Sequence, residues 1–169
     1  MTDTENKIFK YFDDILSRQI TELDRKYYEW LKTQIREINL TSVYDIFSKN
    51  ELSQIIDTLN PQLKGCYDFS YKATFYDSKI NSVIGYQVLF GNIFFGHAIN
   101  KIMIDNQTFY VDFINEIVNQ ENILNLKIIA LHEFTNDEMK YYMNKTPFPD
   151  RLPYVWFQEN IFPKKIIRP

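Results

Sequence analysis

The sequence contains little cysteine, histidine or glycine, and each shortage excludes a kind of protein. Cys66 is the only cysteine, so the chain has neither an internal disulfide nor a multi-cysteine zinc site. The HExxH zinc motif also fails, because His132 and Glu133 are followed by asparagine at position 136. The four glycines form no glycine-rich phosphate loop. We therefore expect no metal site and no cofactor.

Neither a basic cluster nor a long hydrophobic run is present. The formal net charge is −3, and the cations are spread along the chain apart from a small C-terminal group, Lys164, Lys165 and Arg168. Nucleic-acid binding requires clustered cations, so we expect no nucleic-acid partner. The longest apolar runs, such as residues 123–131, are too short to cross a membrane and contain Lys127. We expect no membrane partner either.

The N-terminal residues are acidic and polar, whereas a signal peptide is basic and then apolar. This difference predicts a cytoplasmic protein, with export by a dedicated secretion system as the alternative. The composition is globular, with 45% hydrophobic, 17% aromatic and 24% charged residues. At 169 residues the chain is predicted to be a single domain, residues 1–169.

The first part of the chain, residues 1–64, has the pattern of helices. Apolar residues recur every three or four positions from Ile8 to Ile38, which predicts one long amphipathic helix or two in tandem. Ser48 and Glu51 form a capping box that opens a further helix, ending near residue 59 before an Asn-Pro pair. Another helix is predicted to begin at Cys66.

After residue 78 the pattern changes to that of an antiparallel sheet. Short runs of β-branched and aromatic residues predict strands at 82–90, 94–104, 108–113 and 126–134. Asp105-Asn106 lies where a hairpin turn is needed. A capping box at 135–138 predicts a helix reaching about Met143, and five of the six prolines lie at or after Pro147, which predicts an extended, irregular C-terminal segment. The predicted fold class is α+β, with N-terminal helices packed on the sheet.

One histidine and one aspartate lie at a spacing that suits catalysis. A hairpin centred near residue 105 pairs position 97 with about 113 or 114, so Asp112 is expected almost opposite His97. Cys66 is predicted at the start of a helix, where unpaired N–H groups and the helix dipole favour a thiolate. A histidine beside such a thiol would activate it, and a carboxylate would orient the ring. The simpler alternatives are a buried cysteine, a core histidine and a turn-capping aspartate.

The same residues carry a resemblance to a known family. The blocks "GCYDFSYKATF", "SVIGYQVLF" and "HAINKIMIDNQTFYVDF" resemble the Cys, His and Asp blocks of the transglutaminase-like superfamily of papain-fold enzymes, over residues 65–113. The resemblance implies Cys66 as the nucleophile, His97 as the general base and acid, and Asp112 as the orienting carboxylate. Two positions depart from the family pattern: Ile99 stands where tryptophan is usual and residue 113 is phenylalanine where proline is usual.

The resemblance also implies a function. A transglutaminase-like enzyme would act on a peptide or protein carboxamide through a thioester, as a protease, a glutamine deamidase or a cross-linking enzyme, and hydrolysis or deamidation suits so small a chain. Compact bacterial effector and toxin domains of the superfamily are similar in size. The candidate oxyanion donors are Gln62 and the N–H of Cys66. The competing hypothesis is a non-catalytic interaction protein of the immunity or inhibitor type, which would bind through aromatic surface and the C-terminal segment.

Overall fold

The computed structural model describes residues 1–162, so Lys164, Lys165 and Arg168 lie outside the described residues. The helices are α1 (Asp3–Leu16), α2 (Glu22–Gln34), α3 (Val43–Ile46), α4 (Lys49–Leu59), α5 (Cys66–Tyr76), α6 (Asn136–Met143) and α7 (Leu152–Asn160). The strands are β1 (Arg36–Ile38), β2 (Ile80–Leu89), β3 (Ile93–Ile104), β4 (Gln107–Val111) and β5 (Ile128–Phe134). Short helical turns lie at Ile114–Val118, Ile123–Asn125 and Pro149–Arg151.

The strands form one antiparallel sheet in the order β1-β5-β2-β3-β4. The predicted turn at Asp105-Asn106 connects β3 to β4, and both residues have positive φ, 49° and 65°, as a two-residue type I′ hairpin requires. The combination of helices with an antiparallel sheet confirms the α+β class.

The N-terminal helical pattern divides into two helices and a strand. Helix α2 begins after Thr21, whose side chain accepts from the N–H of Asp24 (3.1 Å). The prediction of helix up to Ile38 is wrong at its end, because Arg36 to Ile38 form β1 and pair with β5. The physical reason is that Ile38, only 6% exposed, packs against the sheet residues Val83 and Ile99, which favours the strand over another helical turn.

The signals for the other predicted helix starts are correct. Both capping boxes are present, at Ser48 for α4 and at Thr135 for α6. Helix α4 ends where Asn60 adopts a left-handed conformation (φ 49°), and α5 begins at Cys66 with Gly65 as its N-cap.

Residues 149–160 of the C-terminal segment are helical, which contradicts the predicted irregular wrap over that stretch. The rest of the segment, from residue 163, lies outside the described residues. A short turn at Pro149–Arg151 leads into α7, and Pro153 lies in the first turn of that helix. Proline is tolerated in a first turn because the N–H that it lacks has no partner there. The helix then buries Leu152 and Phe157, each at most 1% exposed, against the rest of the molecule.

Three helical groups cover one face of the sheet. Helices α1 and α2 pack near Val88 and Ile129, α6 and α7 pack near Ile84, and α4 and α5 pack near Ile80 and Ile102. These β2 and β3 side chains share that face because alternate residues of a strand point the same way.

Buried hydrogen bonds hold α5 on the sheet. The hydroxyl of Ser70 donates to the main-chain oxygen of Ile99 (2.8 Å) and lies 2.7 Å from the hydroxyl of Ser82. The amide of Asn100 donates to the main-chain oxygen of Ser70 (3.0 Å). Because these groups are buried, breaking them would leave polar atoms without partners, so the position of α5 is fixed.

Candidate functional site

Helix α5 places the thiol of Cys66 at its first helical position. The N-cap, Gly65, offers no side-chain hydrogen bond to the first turn, and the first intrahelical bond runs from the N–H of Phe69 to the oxygen of Gly65 (2.9 Å). The N–H groups of this turn and the positive end of the helix dipole therefore lie at the half-buried sulfur. This position favours a thiolate over a thiol.

His97 lies on β3 and contacts Asp112, which follows the last residue of β4. The β3–β4 pairing ends at Asn100 and Val111, so the register places Asp112 diagonally from His97 instead of directly opposite it. A diagonal neighbour is still within reach of an imidazole. The His97 Nε2 to Asp112 Oδ2 distance is 2.7 Å, and the two residues are only 7% and 1% exposed.

Asn115 holds the carboxylate of Asp112 in place. Its main-chain N–H donates to Oδ1 of Asp112 (3.1 Å), and its side-chain Nδ2 donates to Oδ2 (2.7 Å). The same Nδ2 lies 3.1 Å from Oε1 of Gln87 on β2. These hydrogen bonds compensate the buried charge, which would otherwise be costly. Neither Asn115 nor Gln87 was predicted from the sequence. The signal for Asn115 was an asparagine three residues after the candidate aspartate.

The pKa values of the thiol and the imidazole are shifted in opposite directions. Burial lowers the pKa of His97, but the hydrogen bonds to Asp112 and Cys66 and the charges of those two groups raise it to about 10. Burial raises the pKa of Cys66, but the hydrogen bond from His97, the charge of His97 and a hydrogen bond from the main-chain N–H of Ala98 reverse this, and the pKa is lowered overall. The favoured state is a thiolate beside an imidazolium.

The two ring nitrogens of His97 have different partners. Because Nε2 of His97 faces Asp112, the other ring nitrogen, Nδ1, is left for the sulfur of Cys66. Sulfur, ring and carboxylate thus lie in sequence, which is the arrangement in which a histidine can pass a proton to or from a thiol.

Gln62 directs its side-chain hydrogen bond to the loop before α5 and not to these three residues. Its side chain is exposed in the loop before α5, and its Nε2 donates to the main-chain oxygen of Asn60 (3.4 Å). Its main-chain oxygen accepts from the N–H of Gly65 (3.0 Å), which shapes the turn into the helix. Its role as an oxyanion donor stays a prediction.

The two positions that depart from the family pattern are core residues. Ile99 is 2% exposed and packs against Val83, on the sheet face away from α5. Phe113 is 2% exposed, and its ring centroid lies 4.9 Å from that of Phe69. Both therefore contribute to packing beside the site.

Comparisons of the chain with models of protein families, with curated proteins and with solved structures found no match. Within residues 1–162, every helix is too short or too polar to span a membrane. In the same residues no group of three or more His, Cys, Asp or Glu side chains is placed to hold a metal ion.

Proposed function

We propose that this chain is a cysteine hydrolase of the transglutaminase-like, papain-fold type, acting on a carboxamide of a peptide or protein. The observation that carries the proposal is the Cys66–His97–Asp112 arrangement, with its 2.7 Å imidazole–carboxylate contact and its thiol pKa lowered by the imidazole in spite of burial. A buried structural cysteine has no need of such a partner, since burial by itself favours the neutral thiol.

The chemistry would proceed through a thioester. The thiolate of Cys66 attacks the carbonyl carbon, and the negative charge that forms on the oxygen is stabilised by N–H groups at the start of α5. His97 gives its proton to the departing nitrogen, so ammonia or an amine leaves. A water molecule then attacks the thioester, His97 accepts its proton, and the sulfur departs as the carboxylic acid is released. Asp112 orients the ring through its hydrogen bond to Nε2.

The reaction class depends on which amide enters. A main-chain amide would make the protein a protease, whereas a glutamine side chain would make it a deamidase. Intact-mass measurements with candidate protein substrates separate the two. A gain of about 1 Da on the substrate would identify deamidation, because oxygen replaces a nitrogen-bearing group, and fragments would identify proteolysis. The Cys66→Ala variant should produce neither.

The proposal can be tested without a known substrate, because the chain has one cysteine. The rate of alkylation by iodoacetamide, measured from pH 5 to pH 10, then reports Cys66 alone. We expect the reactivity to titrate below the free-thiol pKa of about 8.5. In the His97→Asn variant the titration should move upward, since burial remains and the imidazolium is lost.

The matched control is His132→Asn, which changes the other histidine and should leave the profile as in the wild type. A wild-type profile that titrates at or above about 8.5 would contradict the proposal. It would favour the alternative of an interaction protein with an ordinary buried thiol.

A further inference from the structure

Strand β3 is longer than its outer neighbour. It runs from Ile93 to Ile104, but β4 pairs only with the stretch from Asn100 to Ile104. The first part of β3, up to Ile99, is paired with β2 on one side, and in residues 1–162 no strand pairs with it on the other. The sheet therefore has an open edge along the first part of β3, the stretch that contains His97.

The register shows which main-chain groups face this edge. In an antiparallel ladder, alternate residues direct both N–H and C=O toward the same neighbour. Ile104 and Gln107 flank the two-residue turn, so Ile104, and with it Asn100, faces β4. Met103 faces the other way, because its N–H donates to the oxygen of Lys79 on the β2 side (3.2 Å). By the same alternation Phe94, Gly96 and Ala98 face the open edge.

The sulfur of Cys66 lies at one end of this row. The main-chain N–H of Ala98 donates to it, which agrees with the alternation and places the thiol at the edge. Two residues away, Gly96 is exposed, and in residues 1–162 no other group bonds its outward N–H and C=O. The row from Phe94 to Ala98 is about 13 Å long, which accommodates a peptide of about four residues.

Gly96 suits an edge that another backbone approaches. A Cβ at this position would lie 2.6 Å from the hydroxyl of Tyr67, the residue after the thiol, so the surface here consists of main chain and a tyrosine hydroxyl. A glycine inside a strand often marks such a close approach. Ile93 and Phe95 point to the same face of β3 as His97, and they are 43% and 52% exposed. Apolar side chains therefore adjoin the edge.

We infer that the substrate is an extended polypeptide segment that adds a strand to this edge, pairs with the main chain of Phe94 and Gly96, and so carries its carboxamide to Cys66. The inference rests on the proposed function and narrows its substrate class. Main-chain donors and acceptors at strand spacing recognise another main chain, and the exposed Ile93 and Phe95 favour apolar side chains at alternate positions. A small amide would reach the thiol but would make none of these contacts.

The test uses a peptide attached to the single cysteine. A chloroacetyl tetrapeptide of alternating valine and alanine reacts with Cys66 as the sulfur displaces chloride, and amide hydrogen exchange is then followed by NMR. We expect the N–H groups of Phe94 and Gly96 to exchange about tenfold more slowly than in protein alkylated with iodoacetamide. Those of Phe95 and His97 should not change, because they already face β2.

A pair of variants tests the same edge through rates. Phe94→Pro removes the outward N–H, at an edge position where proline is tolerated, and Phe94→Ala loses the same side chain but keeps the N–H. Relative to iodoacetamide, labelling by the chloroacetyl peptide should be about fivefold slower in Phe94→Pro than in Phe94→Ala, which corresponds to one hydrogen bond. Circular dichroism checks that both variants fold.

Unchanged exchange at Phe94 and Gly96 in the tethered protein would overturn the inference, whether or not the variants fold. Equal labelling of two folded variants would also overturn it. Neither measurement requires catalysis. An inert thiol in the iodoacetamide profile would instead contradict the proposed function, so the two failures are distinguishable.

Discussion

The two histidines of the chain lie on the strands that flank β2. His97 on β3 pairs with Gly85, and His132 on β5 pairs with Ile84, the adjacent residue of β2. Both rings are largely buried, and for both burial is the largest influence and lowers the pKa. The pKa of His132 is lowered overall, whereas that of His97 is raised to about 10.

The difference comes from what touches each ring. The ring of His132 lies among aromatic side chains, with centroid distances of 4.3 Å to Trp156 and 5.5 Å to Trp30, and the nearby carboxylates do not offset its burial. The ring of His97 has Asp112 on one nitrogen and Cys66 on the other. Burial therefore does not determine whether a histidine is charged; a buried, hydrogen-bonded carboxylate does. One ring suits packing, and the other suits proton transfer.

The largest expected effect on stability is that of a substitution at Gly85, on β2, which lies between the two strands that carry the histidines. The β2–β5 register shifts between Ile84 and Gly85, and a Cβ at Gly85 would lie 1.9 Å from the main-chain oxygen of Ile129. Because that oxygen belongs to the backbone of β5, it cannot move aside cheaply. We expect Gly85→Ala to lower the free energy of unfolding by about 3 kcal/mol, measured by urea unfolding at pH 7.

Gly96→Ala is the matched control for this substitution. Its Cβ would meet only the hydroxyl of Tyr67, which is the end of a side chain that can rotate. A smaller loss is therefore expected. If the two variants were equally destabilised, the close contact between β2 and β5 would not be what requires glycine at position 85.

Local patterns predicted much of this architecture. The capping boxes at Ser48 and Thr135, the turn at Asp105-Asn106 and the helix start at Cys66 depend on a few adjacent residues, so they can be read from the sequence. The placement of His97 beside a residue fifteen positions later also followed from the hairpin. Each of these features depends on short-range geometry.

The features that were missed depend on tertiary contacts. The strand Arg36–Ile38 forms because it pairs with the edge of β5. Helix α7 forms because Phe157 is buried against the rest of the molecule. Proline at 149 and 153 indicated an irregular segment, but its effect depends on the position within a helical turn, which the sequence pattern did not define. Asn115 acts on Asp112 through a turn at Ile114–Val118 that had no predicted counterpart.

Asp112 is the partner that makes His97 differ from His132, and its substitution is expected to have the next largest effect. Asp112→Asn keeps the shape of the side chain but removes the charge that stabilises the imidazolium. The pKa of His97 should then fall from about 10 by about two pH units. NMR titration of the histidine rings measures this change.

His132 provides an internal control in the same spectra. It lies on the other side of β2, so its titration should be the same in the wild type and in Asp112→Asn. If the pKa of His97 were unchanged in the variant, the carboxylate would not be what sets its charge.

The smallest expected effect is on the dependence of stability on pH. His97 and His132 affect it at opposite ends of the pH range. The folded pKa of His97 lies above its ordinary value of 6.5, so its stabilisation is complete below that value and is lost as the pH rises through about 10. The folded pKa of His132 lies below 6.5, so its contribution is present above that value and is lost as the pH falls.

The substitution His132→Phe isolates the contribution of His132 to stability at acidic pH. Phenylalanine suits the aromatic surroundings and takes up no proton, so the variant should lose less stability than the wild type between pH 7 and pH 5. Urea unfolding at the two pH values measures the difference, and the subtraction removes the carboxylates common to both proteins. His97→Asn should lose more stability than the wild type over this range, because the stabilisation by His97 still increases as the pH falls through 6.5. An equal loss in His132→Phe and the wild type would mean that His132 is protonated as readily in the folded chain as in the unfolded one, and the contrast between the two histidines would then depend on His97 alone.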